Sequence, residues 1–261
     1  MKIGQNRVRR GAIVTTATVA ALVLAACSGQ SAPPAATGAT GASVPTKATS
    51  SAAPTAAAAS GYGSGPCAPA GGVATPVLTF PDAFADCLDT GKTYTATVET
   101  TEGTVVLRLD TERTPIATNN FVNLARSGYF DGTDLFRTEA QTGIIQGGSP
   151  HTQDNRDPGP GYTIPDEGLP FSSADYAPGV IAVANSGPDS GGGQFFFLSR
   201  DAGSYLGDPS AIGNSAGSYV VFGRTTEGLD VLQAISDLES APGSSTPSRP
   251  VTIESVTIAE S

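Results

Sequence analysis

The stretch Thr93–Leu109 reads TYTATVETTEGTVVLRL, and its alternation decides the fold class. Thr93–Val98 and Thr104–Leu109 are rich in Thr and Val, side chains that suit a pleated backbone, and they flank the turn-forming Thr101-Glu102-Gly103. Val105, Leu107 and Leu109 fall on one face at a period of two, which predicts a β-hairpin with one side buried. C-terminal to the hairpin, Thr114-Pro115 supplies an N-cap followed by proline at the first helical position. Ala117, Phe121, Leu124 and Ala125 then repeat at helical spacing until Gly128 stops the helix. Short apolar strands follow between Gly/Pro/Asp/Asn turns, at Gly143–Gln146, Val180–Ala184, Gln194–Leu198 and Val220–Gly223. Gly228–Ile235 fits a second helix. In the tail, Val251 and Ile253 alternate, as do Val256 and Ile258, and the slip of parity at Glu254-Ser255 predicts a β-bulge. Many short strands and two helices point to a mainly β domain, a closed barrel plugged by helices, over residues 91–261.

The rest of the chain has a different composition. Among 261 residues there are 32 Gly and 20 Pro, too many for one uniform globule and without the strict period of collagen. Residues 1–26 read as a targeting segment: Lys2, Arg7, Arg9 and Arg10 precede the uncharged apolar run Gly11–Val23, which is shorter than a membrane span needs. Leu24-Ala25-Ala26-Cys27 resembles the lipobox of bacterial lipoproteins, which implies lipidation at Cys27; the alternative is an ordinary cleaved signal with a stray cysteine. Residues 27–66 read as a disordered linker, since from Ser28 onward all but Gln30, Val44, Lys47 and Tyr62 are Ala, Gly, Pro, Ser or Thr. As a flexible coil that linker spans about 35 Å. Residues 67–90 form a segment bounded by Cys67 and Cys87. In an exported protein these two are expected to pair, with two free thiols as the alternative. Closing that loop stabilises by roughly 3 kcal/mol in the chain-entropy model.

Several function classes fall away on composition and spacing. With 24 acidic residues against 14 basic, four of the latter in the first ten, the chain offers no broad nucleic-acid surface. The single His151, with cysteines only at 27, 67 and 87 and no C-x-x-C spacing, leaves no Cys/His zinc cluster to build. Asp189-Ser190-Gly191-Gly192 resembles a serine-protease nucleophile loop, yet His151 is the sole imidazole and lies too close in sequence for a two-barrel protease. Gly159-Pro160-Gly161 lacks the lysine and following helix of a phosphate loop. What remains is a set of amides and apolar side chains on neighbouring strands: Gln146-Gly147-Gly148, Ala184-Asn185-Ser186-Gly187-Pro188 and Gln194-Phe195-Phe196-Phe197. Amides can hold a peptide backbone, and Phe196, Ile144 and Leu206 can form a small apolar pocket. The plainer reading makes the phenylalanines core and the amides turn caps; by parity at least one Phe faces away from the others, so both hold together.

In order and spacing these segments resemble cyclophilins, the peptidyl-prolyl cis-trans isomerases, over roughly Thr93–Ala259. The matching blocks include Asn120-Phe121, Tyr129-Phe130-Asp131-Gly132-Thr133, Ile145-Gln146-Gly147-Gly148, Gly159-Pro160-Gly161-Tyr162, Ala182–Pro188, Gly193–Phe196 and Val220-Val221-Phe222-Gly223. The resemblance implies an eight-stranded antiparallel barrel closed by two α-helices, with the site on its outer face. It implies a catalytic arginine over the prolyl nitrogen, beside Gln146. It further implies substrate contacts from Asn185 and Gln194, with Ala184 and Ser186 beside Asn185, and a pocket of Ile144, Phe196 and Leu206. Neither a metal nor an organic cofactor is implied. The arginine depends on register. Counting back from Gln146 without a gap lands on Thr138, whereas counting forward from Asp131-Gly132-Thr133 lands on Arg137, and Arg137 with one inserted loop residue is preferred. Gly143 replaces a pocket aromatic, Tyr205 stands in place of a Trp, and Tyr219 in place of a His after an insertion around Asp208–Gly217.

The expected activity is therefore that of a monomeric prolyl isomerase on X-Pro segments of exported proteins, held at the extracytoplasmic face of a cell membrane by lipid on Cys27. The alternative is a non-catalytic module that binds Pro-containing segments. Because that tryptophan contributes strongly to cyclosporin affinity in the family, Tyr205 predicts weak inhibition. Titrating cyclosporin into a prolyl-isomerisation assay checks this, and tight submicromolar inhibition would contradict it.

Overall fold

The computed structural model describes residues 61–261, so the signal segment, Cys27 and the linker as far as residue 60 lie outside the described residues. The hairpin forms as read: β1 (Tyr94–Thr100) pairs antiparallel with β2 (Gly103–Leu109), with Val98 opposite Val105 and Thr100 opposite Gly103. Buried and less buried residues alternate along both strands because each turns one face to the core. Next come α1 (Pro115–Arg126), β3 (Thr133–Asp134), β4 (Arg137–Thr138), β5 (Ile144–Gly147), β6 (Val180–Val183) and β7 (Phe195–Leu198). The chain is completed by α2 (Pro209–Ile212), β8 (Val221–Glu227), α3 (Leu229–Ser236) and β9 (Thr252–Glu260), with short 3-10 turns at Asp201–Gly207 and Gly213–Ser215.

Among the described residues all the strands belong to one sheet in the order β3-β9-β1-β2-β8-β6-β7-β5-β4. The two end strands are consecutive in sequence and only Leu135-Phe136 separates them, so the sheet has to curl until its ends meet. The expectation of eight strands is corrected to nine here. The segment Thr133–Thr138 is too sharply bent to run as one strand: its first half pairs with β9 and its second half with β5. Leu135 fills the seam. It is fully buried, its N–H donates to the Val251 carbonyl at 2.8 Å, and Gly147 leaves it room, because a Cβ there would lie 2.8 Å from Leu135 Cδ2. The two expected helices, α1 and α3, are joined by α2, a single turn within the insertion around Asp208–Gly217.

The predicted bulge is present. Glu99 pairs with Ser255 and Thr100 with Ile253, which leaves Glu254 unpaired and lets both Ile253 and Val256 turn inward. A second irregularity between Val106 and Leu107 lets β8 run four residues beyond its expected end at Gly223. Helix α1 does start at Pro115, but Thr114 does not cap it. The Thr114 hydroxyl donates instead to the Asp110 and Val221 carbonyls, while the Glu167 carboxylate accepts the free Ala117 N–H at 2.7 Å. Phe121 of α1 packs on Phe130, Phe195 and Phe222 at the centre of the core.

Residues 61–92 wrap the outside of α1 as a strap. Cys67 and Cys87 are disulfide-bonded. Asn119 accepts from Cys87 N and donates to the Ala85 carbonyl, and Asn123 accepts from Ala68 N, which explains two buried asparagines on a helix face that would otherwise meet water. Residues 61–66, assigned to the linker by composition, belong to this strap: Gly63 N donates to the Phe84 carbonyl and Gly65 N to the Ala83 carbonyl. Gly63 has no alternative there, since a Cβ would lie 2.0 Å from the Ala83 oxygen.

At the far edge, the β9 residue Glu260 accepts from Lys92 at 2.7 Å and from the buried Arg126 of α1, tying strap, sheet and helix together. Those hydrogen bonds, Lys92 first, hold the Glu260 carboxyl below its ordinary value near 4.5. A carboxyl whose folded pKa is depressed contributes stability above its unfolded pKa and loses it as pH falls through the folded value. Wild type and Glu260→Gln, compared by denaturant midpoints from pH 7 downward, should therefore differ most at neutral pH and converge as the pH falls below the ordinary glutamate value and on through the depressed folded one.

Candidate functional site

Strands β4, β5 and β7 lie side by side, and their pairing sets the site. Arg137 is the cross-strand partner of Gln146, and Gln146 in turn is the partner of Phe196. Cross-strand partners share a face, so Arg137, Gln146 and Phe196 turn outward together. Thr138, the residue that the gap-free count selects, pairs with Ile145 and is fully buried, so its side chain points into the core and away from that face. The inserted residue is taken up in the turn Glu139–Gly143, closed by Glu139 N to the Ile144 carbonyl and Gly143 N to the Glu139 carbonyl.

A polar row runs across the strands. Arg137 Nη1 donates to Gln146 Oε1 at 3.0 Å, and Gln146 Nε2 donates to Gln194 Oε1 at 2.9 Å. The phenylalanine triplet divides by parity. Phe195 and Phe197 approach each other in the core, while Phe196 meets the Tyr219 ring edge-on at 5.4 Å. A cavity of about 420 Å³ opens over this surface, and its walls include Arg137, Ile144, Gln146, Ala184, Asn185, Ser186, Gln194, Phe196, Tyr205, Leu206 and Tyr219. Every residue expected in the catalytic and substrate-binding set therefore lines one cavity. Ile144, Phe196 and Leu206 are buried beneath it.

The departures in sequence have local causes. Gly143 adopts φ +73°, and a Cβ there would lie 2.8 Å from the Arg200 backbone nitrogen, so this turn cannot carry an aromatic. The insertion folds back through Gly217 N to the Leu206 carbonyl and Phe171 N to the Gly217 carbonyl, which holds Leu206 and Tyr219 at the rim. Tyr219 is held further by its backbone, which exchanges hydrogen bonds with the Tyr176 hydroxyl. The Asn185 amide donates to the Ser218 carbonyl at 3.1 Å. Burial raises the Tyr205 hydroxyl above its ordinary value, with the Glu139 carboxylate adding to it, so this residue presents a neutral O–H.

Several residues of the site escaped the sequence reading. Glu139 accepts from Arg137 Nε at 2.8 Å and also from Nη2. An acid two residues after the arginine shares its strand face, and that parity was the available signal. Tyr162 also lines the cavity; its hydroxyl donates to Asn120, whose amide donates to the Gly192 carbonyl. Asp157, also in the wall, gathers the backbone N–H groups of His151, Thr152 and Gly159. His151 is exposed and sits against Asp157 and Thr79. Ser190 donates its hydroxyl to the Gly187 carbonyl, so no serine–histidine pair forms.

The fold is a curled antiparallel sheet whose outer-face cleft presents one arginine, two glutamines and an apolar floor. Residues 95–258 match the family model described as cyclophilin type peptidyl-prolyl cis-trans isomerase/CLD. A peptidyl-prolyl cis-trans isomerase of Streptomyces antibioticus, cyp18, is 35% identical over 171 residues, 63% of this chain and 98% of that one. One from Helicobacter pylori is 34% identical over 146 residues, covering 55% and 81% of the two chains. The crystal structure of a Cryptosporidium parvum cyclophilin superposes with a TM-score of 0.50 at 24% identity, covering 64% of this chain and 98% of that one, and supports the fold. The chain belongs to the cyclophilin-type peptidyl-prolyl cis-trans isomerase family and is an isomerase.

Proposed function

We propose that Arg137 and Gln146 are the catalytic pair and that Ile144, Ala184, Asn185, Ser186, Gln194, Phe196, Tyr205, Leu206 and Tyr219 bind the X-Pro substrate. The observation that carries this reading is the Arg137–Gln146–Gln194 row directly above the apolar floor. Amide resonance opposes rotation about an X–Pro bond, with a barrier of roughly 18–20 kcal/mol. As the bond twists, the lone pair returns to the prolyl nitrogen, which becomes pyramidal and basic. An N–H of Arg137 donating to that lone pair stabilises the twisted state and not the planar ground state, the differential binding that catalysis requires. Ile144, Phe196 and Leu206 grip the proline ring, and Gln146, Gln194 and Asn185 hold the flanking peptide groups so that one side of the bond turns against the other. No bond is made or broken, and the mechanism invokes no metal or organic cofactor.

The finer reading extends to place and partner. A lipid on Cys27 and a linker shortened to residues 28–60, about 30 Å as a flexible coil, would carry the domain, as a monomer, at the extracytoplasmic face of a cell membrane, where X-Pro segments of exported proteins fold. The motif around Cys27 and the disulfide between Cys67 and Cys87, a bond of oxidising compartments, support that placement.

Arg137→Ala should lower kcat/KM for a short X-Pro peptide by roughly 10²-fold or more, the loss typical of removing one preorganised donor. Circular dichroism should show an unchanged fold, because Arg137 is partly exposed. Turnover within threefold of wild type would remove Arg137 from the role, and a folded wild-type protein without turnover would favour a binding module.

A further inference from the structure

Resting on the assignment of Arg137 as the catalytic arginine, we infer that Glu139 is a positioning residue, the centre of a carboxylate clamp that aims Arg137 at the substrate. Arg137 has five N–H groups. The Nε hydrogen and one on Nη2 go to Glu139 Oε1, and one on Nη1 goes to Gln146 Oε1. Two N–H groups remain, one on each Nη. They belong to a side chain that lines the cavity. An unclamped arginine at a half-open site would spread its charge over many rotamers, and this one is fixed from two sides.

The clamp is itself held. Glu139 Oε1 also accepts from the Ser245 hydroxyl at 2.9 Å, and Oε2 accepts from the Thr142 hydroxyl at 2.7 Å. Burial alone would raise this carboxyl, yet the hydrogen bonds from Thr142, Arg137 and Ser245 outweigh it and keep Glu139 below its ordinary value, charged at neutral pH. Both Glu139 and Thr142 lie in the turn between β4 and β5 that carries the inserted residue. The longer turn, which disturbs the family spacing, thus also supplies two members of the clamp.

A second observation concerns Ser245. It belongs to the loop between α3 and β9, and its φ of +54° lies in the left-handed region that serine seldom occupies. Backbone strain of this kind persists where the surroundings impose it, and it recurs at functional sites. Glycine would sit in that conformation without strain but has no hydroxyl to offer Glu139. The serine is therefore the poorer choice for the backbone and the better one for the clamp.

That contrast gives the test. Purified protein and its variants would be assayed for kcat and KM by direct exchange NMR on an X-Pro peptide, with thermal midpoints measured alongside. Glu139→Ala should lower kcat about tenfold or more with KM within twofold, and Glu139→Asp should recover part of it. Ser245→Gly should lower kcat by severalfold while melting no earlier than wild type, a pairing that a merely structural role would not produce. Unchanged or raised kcat in Glu139→Ala overturns the inference. So does a loss in Ser245→Gly that simply tracks a fall in thermal midpoint. Arg137→Ala, run in parallel, separates the two levels: if it collapses while Glu139→Ala does not, only the clamp fails, and if it survives, the underlying assignment of Arg137 fails.

Discussion

Everything at the site depends on the seam where β3 passes into β4. Two residues, Leu135 and Phe136, join strands that stand at opposite ends of the sheet order, so the barrel closes through the chain itself. Leu135 is driven inward by burial, anchored to Val251 by its N–H, and accommodated by the missing side chain of Gly147. Strict alternation from the buried Leu135 would turn Arg137 inward, so the bend at Leu135-Phe136 shifts the parity, and the pairing of Arg137 with Gln146 then sets Arg137 outward and Thr138 inward. A one-residue slip at the seam would bury the guanidinium and present a threonine to the cavity. The break in alternation at the seam therefore decides which way the charged group faces.

The opposite wall depends on the strap. Phe80 and Phe84 pack edge-on against Tyr162, with ring centroids 6.4 and 6.0 Å away, and Phe80 N donates to the Pro160 carbonyl. Tyr162 in turn lines the cavity and bonds Asn120 of α1. Residues N-terminal to the matched family segment thus reach the site through two aromatic contacts on Tyr162 and through helix α1. The disulfide closes this strap into a loop, which removes unfolded-state freedom and keeps Phe80 and Phe84 in place.

Much of this was legible in the sequence, and the gaps have physical reasons. The hairpin, the tail bulge and the division of Phe195–Phe197 follow from a period of two, which is a local property. Gln146, Asn185, Gln194 and Phe196 were gathered by the family resemblance, since they lie on separate segments whose meeting is set by strand register and not by a local period. The choice between Arg137 and Thr138 was hard to make locally, since register is settled by the partner strand and by the seam. Residues 61–66 read as linker because Gly and Ser carry no apolar pattern, although their backbone groups bond to Ala83 and Phe84. Glu167 as the cap of α1 and Ser245 as the support of Glu139 lie distant in sequence from the groups they serve, and no spacing rule connects them.

The central claim is that the proline ring sits on Ile144, Phe196 and Leu206 with Arg137 above it. Transferred NOE spectroscopy of a short X-Pro peptide at substoichiometric protein tests this most directly, because it reads ring position and isomer exchange together. The account predicts contacts from the proline ring to Phe196 and Leu206 in both isomers, with cis-trans exchange peaks that depend on the protein. Contacts placing the ring in the separate cavity lined by Arg108, Phe171 and Arg224, or exchange without any contact to Phe196, would contradict it.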